Sequence, residues 1–162
     1  LRQSPGDISA VFIDFGQASA RRERAAATEV ASLLGMDLSV VEVKSGTAFG
    51  PGEIIGRNAF LAFTALLTGN LRSGVIALGI HSGTPYYDCS ELFVKRLDTL
   101  IRENTNGRVS LQIPFLGWSK AEVYTYFSTI GIPANITYSC QAGSWPPCGK
   151  CPSCLDRKEL RL

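Results

Sequence analysis

The chain has 162 residues, 45% of them hydrophobic and 19% charged, with a formal charge of +2 at pH 7. That length suits one domain with a sizeable core, and the charge balance argues against a strongly basic nucleic-acid module. No apolar run approaches the ~18 residues of a membrane-spanning helix. Leu1 to Gly6 has neither the charged nor the apolar part of a signal peptide, and the chain lacks an initiator Met. The expectation is therefore a fragment of a longer protein with neither membrane nor nucleic acid as partner, and the clustering of four cysteines between Cys140 and Cys154 reads as a reducing, cytoplasmic compartment. A homo-oligomer remains compatible with the composition.

Ile8 to Phe15 is a short, mostly apolar run before Gly16 and reads as a buried strand. Arg21 to Leu34 reads as a helix, with Ala27, Val30, Ala31 and Leu34 on one stripe and Gly35 at its end. Leu38 to Val43 is a second strand, followed by a Gly- and Pro-rich loop from Gly46 to Gly56. Arg57 to Thr68 is apolar and reads as a well-buried helix. Val75 to Ile80 is a third strand, and the loop HSGTPYYDC follows it.

Ser90 is placed to cap a helix through about Arg102, with Phe93, Leu97 and Leu100 on one face. Val109 to Ile113 is a fourth strand. Ser119 and Glu122 match a capping box, S-x-x-E, at the head of another helix, which Gly131 and Pro133 end. Alternating strands and helices predict a doubly wound α/β domain with a parallel sheet. Strands that are apolar throughout suit a sheet covered on both faces. Ligands in such folds sit beyond the carboxyl ends of the strands. The segments 14–17, 44–58 and 81–89 fall there, so one shared pocket is expected.

Four of the five cysteines lie between Cys140 and Cys154, as C-x7-C-x2-C-x2-C. C-x2-C spacing lets a tight turn present two sulfurs to one ion, and Gly149 suits that turn. Cys140, Cys148, Cys151 and Cys154 thus form a candidate closed zinc site, with a structural metal and no open position for water. An iron–sulfur cluster also takes four cysteines, although the common ferredoxin run places its fourth three intervening residues beyond the third, where this chain has Lys158. Disulfides or free thiols are the remaining readings. The lone Cys89 reads equally well as a small buried hydrophobe.

Four stretches resemble the 7-cyano-7-deazaguanine synthases of queuosine biosynthesis, N-type ATP-pyrophosphatases with an adenine nucleotide alpha hydrolase-like fold. Phe12 to Gln17 (FIDFGQ) resembles that family's F-D-Y-G-Q strand end. Ile54 to Leu61 (IIGRNAFL) resembles its V-P-x-R-N helix start. Pro85 to Phe93 (PYYDCSELF) resembles its G-Y-P-D-C-R-x-x-F loop, and Ser139 to Arg157 resembles its zinc tail. WSKAEV also resembles the L-S-K-A-E-I that precedes that tail.

The resemblance implies an ATP-dependent carbon–nitrogen ligase using ATP, Mg²⁺ and ammonia on a deazapurine. It implies a nucleotide-binding domain over 1–136, without its ATP loop and first strand, and a zinc tail over 137–162. Asp14, Gly16, Gln17, Arg57 and Asn58 are then candidate nucleotide contacts. Tyr86, Asp88 and Cys89 are candidate substrate contacts; no catalytic residue is singled out.

Three departures accompany the resemblance. The family's S-G-G-x-D-S loop is missing. Ser4-Pro5-Gly6-Asp7 does not replace it, because a strand follows rather than a helix. The expected strand and its loop precede Leu1, and Leu1-Arg2 reads as the end of the helix that follows the loop. The family's G-Q-R-H is Gly16-Gln17-Ala18-Ser19 here. The Pro85 loop lacks a preceding acidic residue and carries Ser90 in place of Arg. A paralogue with another substrate, or a non-catalytic zinc-bearing partner protein, are the alternatives these departures raise.

Each candidate residue also has an ordinary structural role open to it. Asp14 to Gln17 also fits an ordinary strand-to-helix turn, and Asn58 fits a helix cap. His81, the one histidine, reads as a satisfied loop residue more than a general base. Arg21, Arg22 and Arg24 read as a solvated face, with Arg21 able to stand in for the lost basic pair. Lys120 and Lys150 fit phosphate or RNA contacts and plain surface charge equally.

Overall fold

The computed structural model describes residues 8–44, 46–81 and 83–160. Leu1-Arg2 and Ser4-Pro5-Gly6-Asp7 lie outside the described residues. The elements run β1 (Ser9–Asp14), α1 (Ala20–Leu33), β2 (Asp37–Glu42), α2 (Arg57–Thr68), β3 (Gly74–Ala77), α3 (Glu91–Asn104), β4 (Val109–Gln112), α4 (Lys120–Thr129) and α5 (Pro152–Glu159). The chain forms two compact units. One combines the residues up to Gly52 with those from Phe127 onward; the other is Glu53–Tyr126.

Each unit is built on one parallel strand pair. β1 pairs β2 in the register Ser9↔Asp37 to Asp14↔Glu42, and β3 pairs β4 from Gly74↔Val109 to Ala77↔Gln112. Parallel pairing needs a crossover, and α1 and α3 supply the two. The parallel α/β architecture expected from the alternation is thus present.

The core of the Glu53–Tyr126 unit gathers Ala62, Ile76, Leu97, Ile101, Val109 and Leu111, with Phe63 and Phe93 packed against it. Ile101 and Val109 are fully buried, and each such side chain is worth roughly 1.5–3 kcal/mol of apolar transfer. Asp98 ties α3 to β4 by accepting the Leu111 N–H at 2.7 Å and also pairs with Arg102 at 2.6 Å.

Local signals set the element ends. Ser90 Oγ accepts the Phe93 N–H at 3.2 Å and starts α3. The Ser119–Glu122 box forms: Glu122 Oε2 takes the Ser119 N–H at 2.7 Å and its hydroxyl at 2.8 Å. Those two bonds hold the Glu122 carboxyl below its ordinary value. Gly35, at φ +63, follows α1 with its N–H on Ser32 O at 3.2 Å.

Other expectations change. β3 stops at Ala77, although Leu78 still donates to Gln112 O at 3.1 Å. The core face of α3 runs through Leu97 and Ile101, while Leu100 is 47% exposed. Leu97 and Ile101 are one turn apart, whereas Leu100 is displaced about 100° from Ile101. The strands are not covered on both faces, because Val11 and Val75 remain exposed. α2 is capped not by Asn58 but by Gly56 at φ +79, with Asn58 inside the first turn. α5 went unexpected: Pro152 opens it at a position whose N–H is unpaired in any helix.

Among the described residues, no helix is long and apolar enough to cross a membrane.

Candidate metal centre and strand-end turns

The Sγ atoms of Cys140, Cys148, Cys151 and Cys154 all lie within 4.8 Å of one another. None is in a disulfide, and Cys140, Cys151 and Cys154 are buried. Local backbone brings them together. Cys151 caps α5, which carries Cys154 inward on its first turn. Gly149, at φ +71, turns the chain between Cys148 and Cys151, as the spacing required. Cys148 N–H donates to Cys140 Sγ at 3.3 Å, and Cys151 N–H to Cys148 Sγ at 3.4 Å.

The electrostatics select for a cation. Burial works against ionising Cys140, but the N–H groups of Cys148 and Ala142 and the Ser144 hydroxyl outweigh it and lower its thiol to about 5. Burial also opposes ionisation of Cys151, and the N–H groups of Gln141 and Cys154 overcome it. Cys154 goes the other way. Burial, joined by the neighbouring sulfurs and against the Gly149 N–H, pushes its thiol up to about 12.

Burial, with the neighbouring sulfurs, thus resists a thiolate at Cys154, and a dication at the common point of the four sulfurs would offset both. Beside the cluster, burial and then the Cys140 sulfur raise the Tyr138 hydroxyl to about 12; it donates to Ser144 O at 2.8 Å. Among the described residues the cluster holds four sulfurs with no imidazole and no carboxylate, a set that fits zinc in a closed structural site.

The turn after β1 is bonded to itself, to Glu23 of α1 and to the backbone of Phe49. Asp14 Oδ1 accepts the Gly16 N–H at 3.1 Å. Gln17 Oε1 accepts the Phe15 N–H at 3.0 Å, while its Nε2 donates to Ile13 O and Glu23 Oε2, both at 3.2 Å. Ser19 Oγ donates to Glu23 Oε1 at 2.8 Å. Gly16 sits at φ +92, and a Cβ there would lie 2.9 Å from Thr47 O. Close backbone approach is what this glycine provides, and the approaching group is the Thr47 carbonyl. Glu23 was not singled out in the sequence; its place one turn beyond Ser19 was the available signal.

In the other unit, Asn58 and Asp88 are buried against each other. Asn58 Nδ2 donates to Asp88 O at 3.0 Å, and Asn58 N–H reaches Asp88 Oδ2 at 3.4 Å. The Asp88 carboxylate therefore sits at the positive end of α2. Cys89 Sγ lies 3.7 Å from Asp88 Oδ1 and 3.9 Å from Asn58 Nδ2. Cys89 is buried, as its apolar reading expected. Tyr86 and Cys89, with Thr84 and Leu116, line a partly open cavity of about 270 Å³. Asp88 is not among its lining residues.

Arg57, half-buried, is the first residue of α2, and no described residue pairs with its guanidinium. His81 Nδ1 accepts the Gly83 N–H at 3.0 Å, the satisfied loop geometry expected of it. Arg24 pairs with Glu42 at 3.0 Å on the surface, and Arg21 is exposed on the same helix. Arg22 lies over the Trp145 ring, 5.2 Å from its centroid, a contact the sequence did not signal. Lys120 opens α4, and Lys150 is exposed between two cysteines.

A family model described as queuosine biosynthesis protein QueC matches residues 51–160. The 7-cyano-7-deazaguanine synthase of Aquifex aeolicus (strain VF5) is 35% identical over 107 residues, covering 62% of this chain and 49% of that protein. Its namesake in Sulfurihydrogenibium sp. (strain YO3AOP1) is 36% identical over 91 residues, 52% of this chain and 41% of that protein. Against these two, the chain spans half of the relative or less.

The enzyme of the same name in Chromobacterium violaceum (strain ATCC 12472) is 30% identical over 182 residues, 94% of this chain and 76% of that protein. Those 182 positions exceed the 162 residues here, so that relative carries additional residues inside the matched span. The α2 start, the Tyr86–Cys89 loop and all four cysteines fall within the matched region 51–160, and the chain belongs to the QueC family of queuosine biosynthesis proteins.

Proposed function

We propose that the protein carrying this chain is an ATP-dependent ligase that converts 7-carboxy-7-deazaguanine and ammonia to 7-cyano-7-deazaguanine. The observation that carries this reading is the family match over residues 51–160, with relatives named for that product. The chemistry is consistent with the name. A carboxylate is a poor electrophile at neutral pH, and transfer to the α-phosphorus of ATP, with loss of pyrophosphate, gives it AMP as a leaving group. Ammonia attacks the acyl carbon and AMP departs, leaving the amide. Adenylation of the amide oxygen by a second ATP, then loss of AMP and two protons, leaves the nitrile. Mg²⁺ would neutralise the phosphate charge in both adenylations.

In this reading Asp14, Gly16 and Gln17 shape a nucleotide-binding turn, with Gln17 bracing it from inside. Arg57 offers a planar fork to phosphate or carboxylate beside the N-terminal end of α2. Asn58 and Asp88 fix the start of α2 through their mutual bonds. Tyr86 and Cys89 form the wall against which the flat deazapurine rests. The zinc tail holds structure and touches no reacting atom. A cytoplasmic setting fits both the reduced thiols and the substrates.

The test is to incubate the full-length protein with 7-carboxy-7-deazaguanine, ammonium and MgATP and to follow products by mass spectrometry. Formation of the nitrile with about two AMP per product is expected, one for each adenylation. AMP release without nitrile, or no ATP consumption, would defeat the reading.

A second reading has its own observation: the family's basic pair is replaced by exposed Ala18 and by Ser19, which is buried and bonded to Glu23. A paralogue acting on a related deazapurine would show AMP formation with that substrate and none with the carboxylate named above.

A further inference from the structure

We propose that the metal-bound tail positions the Gly16–Ser19 turn, and that Gly143 is the residue through which it does so. Gly143 lies in the loop between two metal ligands, Cys140 and Cys148, so the metal closes the segment that carries it. Its own N–H donates to Cys140 O at 3.1 Å, and Tyr138 pins the next residue by bonding Ser144 O. Gly143 is at φ +68, and a Cβ there would overlap the Ala18 carbonyl oxygen, lying 2.7 Å from the Ala18 carbonyl carbon and 3.2 Å from Ser19 Cα. Backbone thus presses on backbone, with no side chain able to yield.

The opposite side of the turn is held as firmly. Ala18 N–H donates to Phe49 O at 2.9 Å, and Phe49 N–H returns to Gly16 O at 3.0 Å. Gly16 also faces Thr47 O at close range. The turn is therefore clamped between the segment Thr47–Phe49 and the tail. The Arg22–Trp145 contact, two residues beyond Gly143, ties the same loop to α1. A self-contained zinc knuckle would need none of this.

The proposal rests on the nucleotide reading only for its purpose, since the clamp itself is geometry. Gly131 provides a matched control: it lies at φ +75 in the same unit and outside the metal-ligand run, but a Cβ there meets nothing within 4 Å. Ala at either position bears the same left-handed strain, and only Gly143→Ala adds the collision.

The experiment is amide hydrogen exchange on the full-length, zinc-loaded protein, with zinc content measured in each sample. Gly143→Ala is expected to speed exchange at Ala18 and Phe49 by ~tenfold or more, and Gly131→Ala to leave both within about twofold of wild type. Stripping zinc from the wild-type protein should reproduce the Gly143→Ala pattern, while Leu78, bonded to Gln112 in the other unit, stays unchanged. Slow exchange at Ala18 and Phe49 in the stripped protein would overturn the proposal. So would equal loosening by both variants with zinc retained. ATP affinity, measured in parallel, separates the two readings. Loosened amides with no ATP binding in the wild type leave the clamp standing and remove the nucleotide role. Unchanged amides remove the clamp whatever ATP does.

Discussion

The cysteine tail and the Asn58–Asp88–Cys89 cluster are both buried polar sites, yet they are organised oppositely. In the tail, four donors from one short stretch face a common point and lack only a cation. In the cluster, residues some thirty positions apart spend their polar groups on each other. The first arrangement calls for a ligand, whereas in the second the Asn58 amide and the Asp88 carboxylate are already spent on the fold. A polar residue in a family motif can therefore serve the motif by holding it in place rather than by touching the ligand. Asp88 is the example: it belongs to the loop beside the cavity, but its carboxylate faces the start of α2.

The largest way to break this comparison is to remove a metal ligand. Cys140→Ala should lose the metal and destabilise the fold by on the order of several kcal/mol, because metal binding free energy acts as folding free energy. Thermal unfolding with metal analysis checks it; full stability without bound zinc would refute the closed-site account. Next comes the cluster. Asp88→Ala leaves a buried N–H without its partner and should cost roughly 1–3 kcal/mol, whereas Cys89→Ala should cost less. Denaturant titration of both variants measures this, and a larger loss for Cys89→Ala would mean that the thiol organises the cluster.

The next expected effect lies in activity. Arg57→Lys replaces a planar fork with a point charge and should lower turnover well below that of Arg24→Lys. Arg24 sits in an exposed pair with Glu42, worth about 0–1 kcal/mol at most. Equal turnover in the two variants would remove Arg57 from the site.

The smallest effect is a proton count. At pH 7 Cys140, lowered to about 5, is already a thiolate, while Cys154, raised to about 12, still carries its proton. Zinc binding should thus release at least one proton and fewer than four. Calorimetry in buffers of different ionisation enthalpy reads this number directly, and release of four would contradict the backbone stabilisation of Cys140.

Much of the fold was legible because its signals are local. Arg57 to Thr68 is a helix at both expected ends, Ser90 caps α3, and the Ser119–Glu122 box forms. The four ligands were legible for the same reason, since C-x2-C spacing is a local constraint. What escaped depends on tertiary partners. The sequence does not say that Asp88 supplies an acceptor to α2, so Asn58 looked like the cap. Nor does it say that Gln17 folds back on Ile13 and Glu23, or that Gly143 is needed by Ala18. α5 escaped for a different reason: it is only eight residues long, and proline at its first position follows from Cys151 being its cap, which the local pattern does not announce.

The contrast between a site that awaits a cation and one that is already satisfied rests on what the four sulfurs hold. X-ray absorption at the zinc edge of the purified full-length protein tests it directly. The account predicts one zinc per chain with four sulfur neighbours at about 2.3 Å and no oxygen or nitrogen neighbour. Iron in place of zinc, or a zinc with a water or nitrogen ligand, would contradict it.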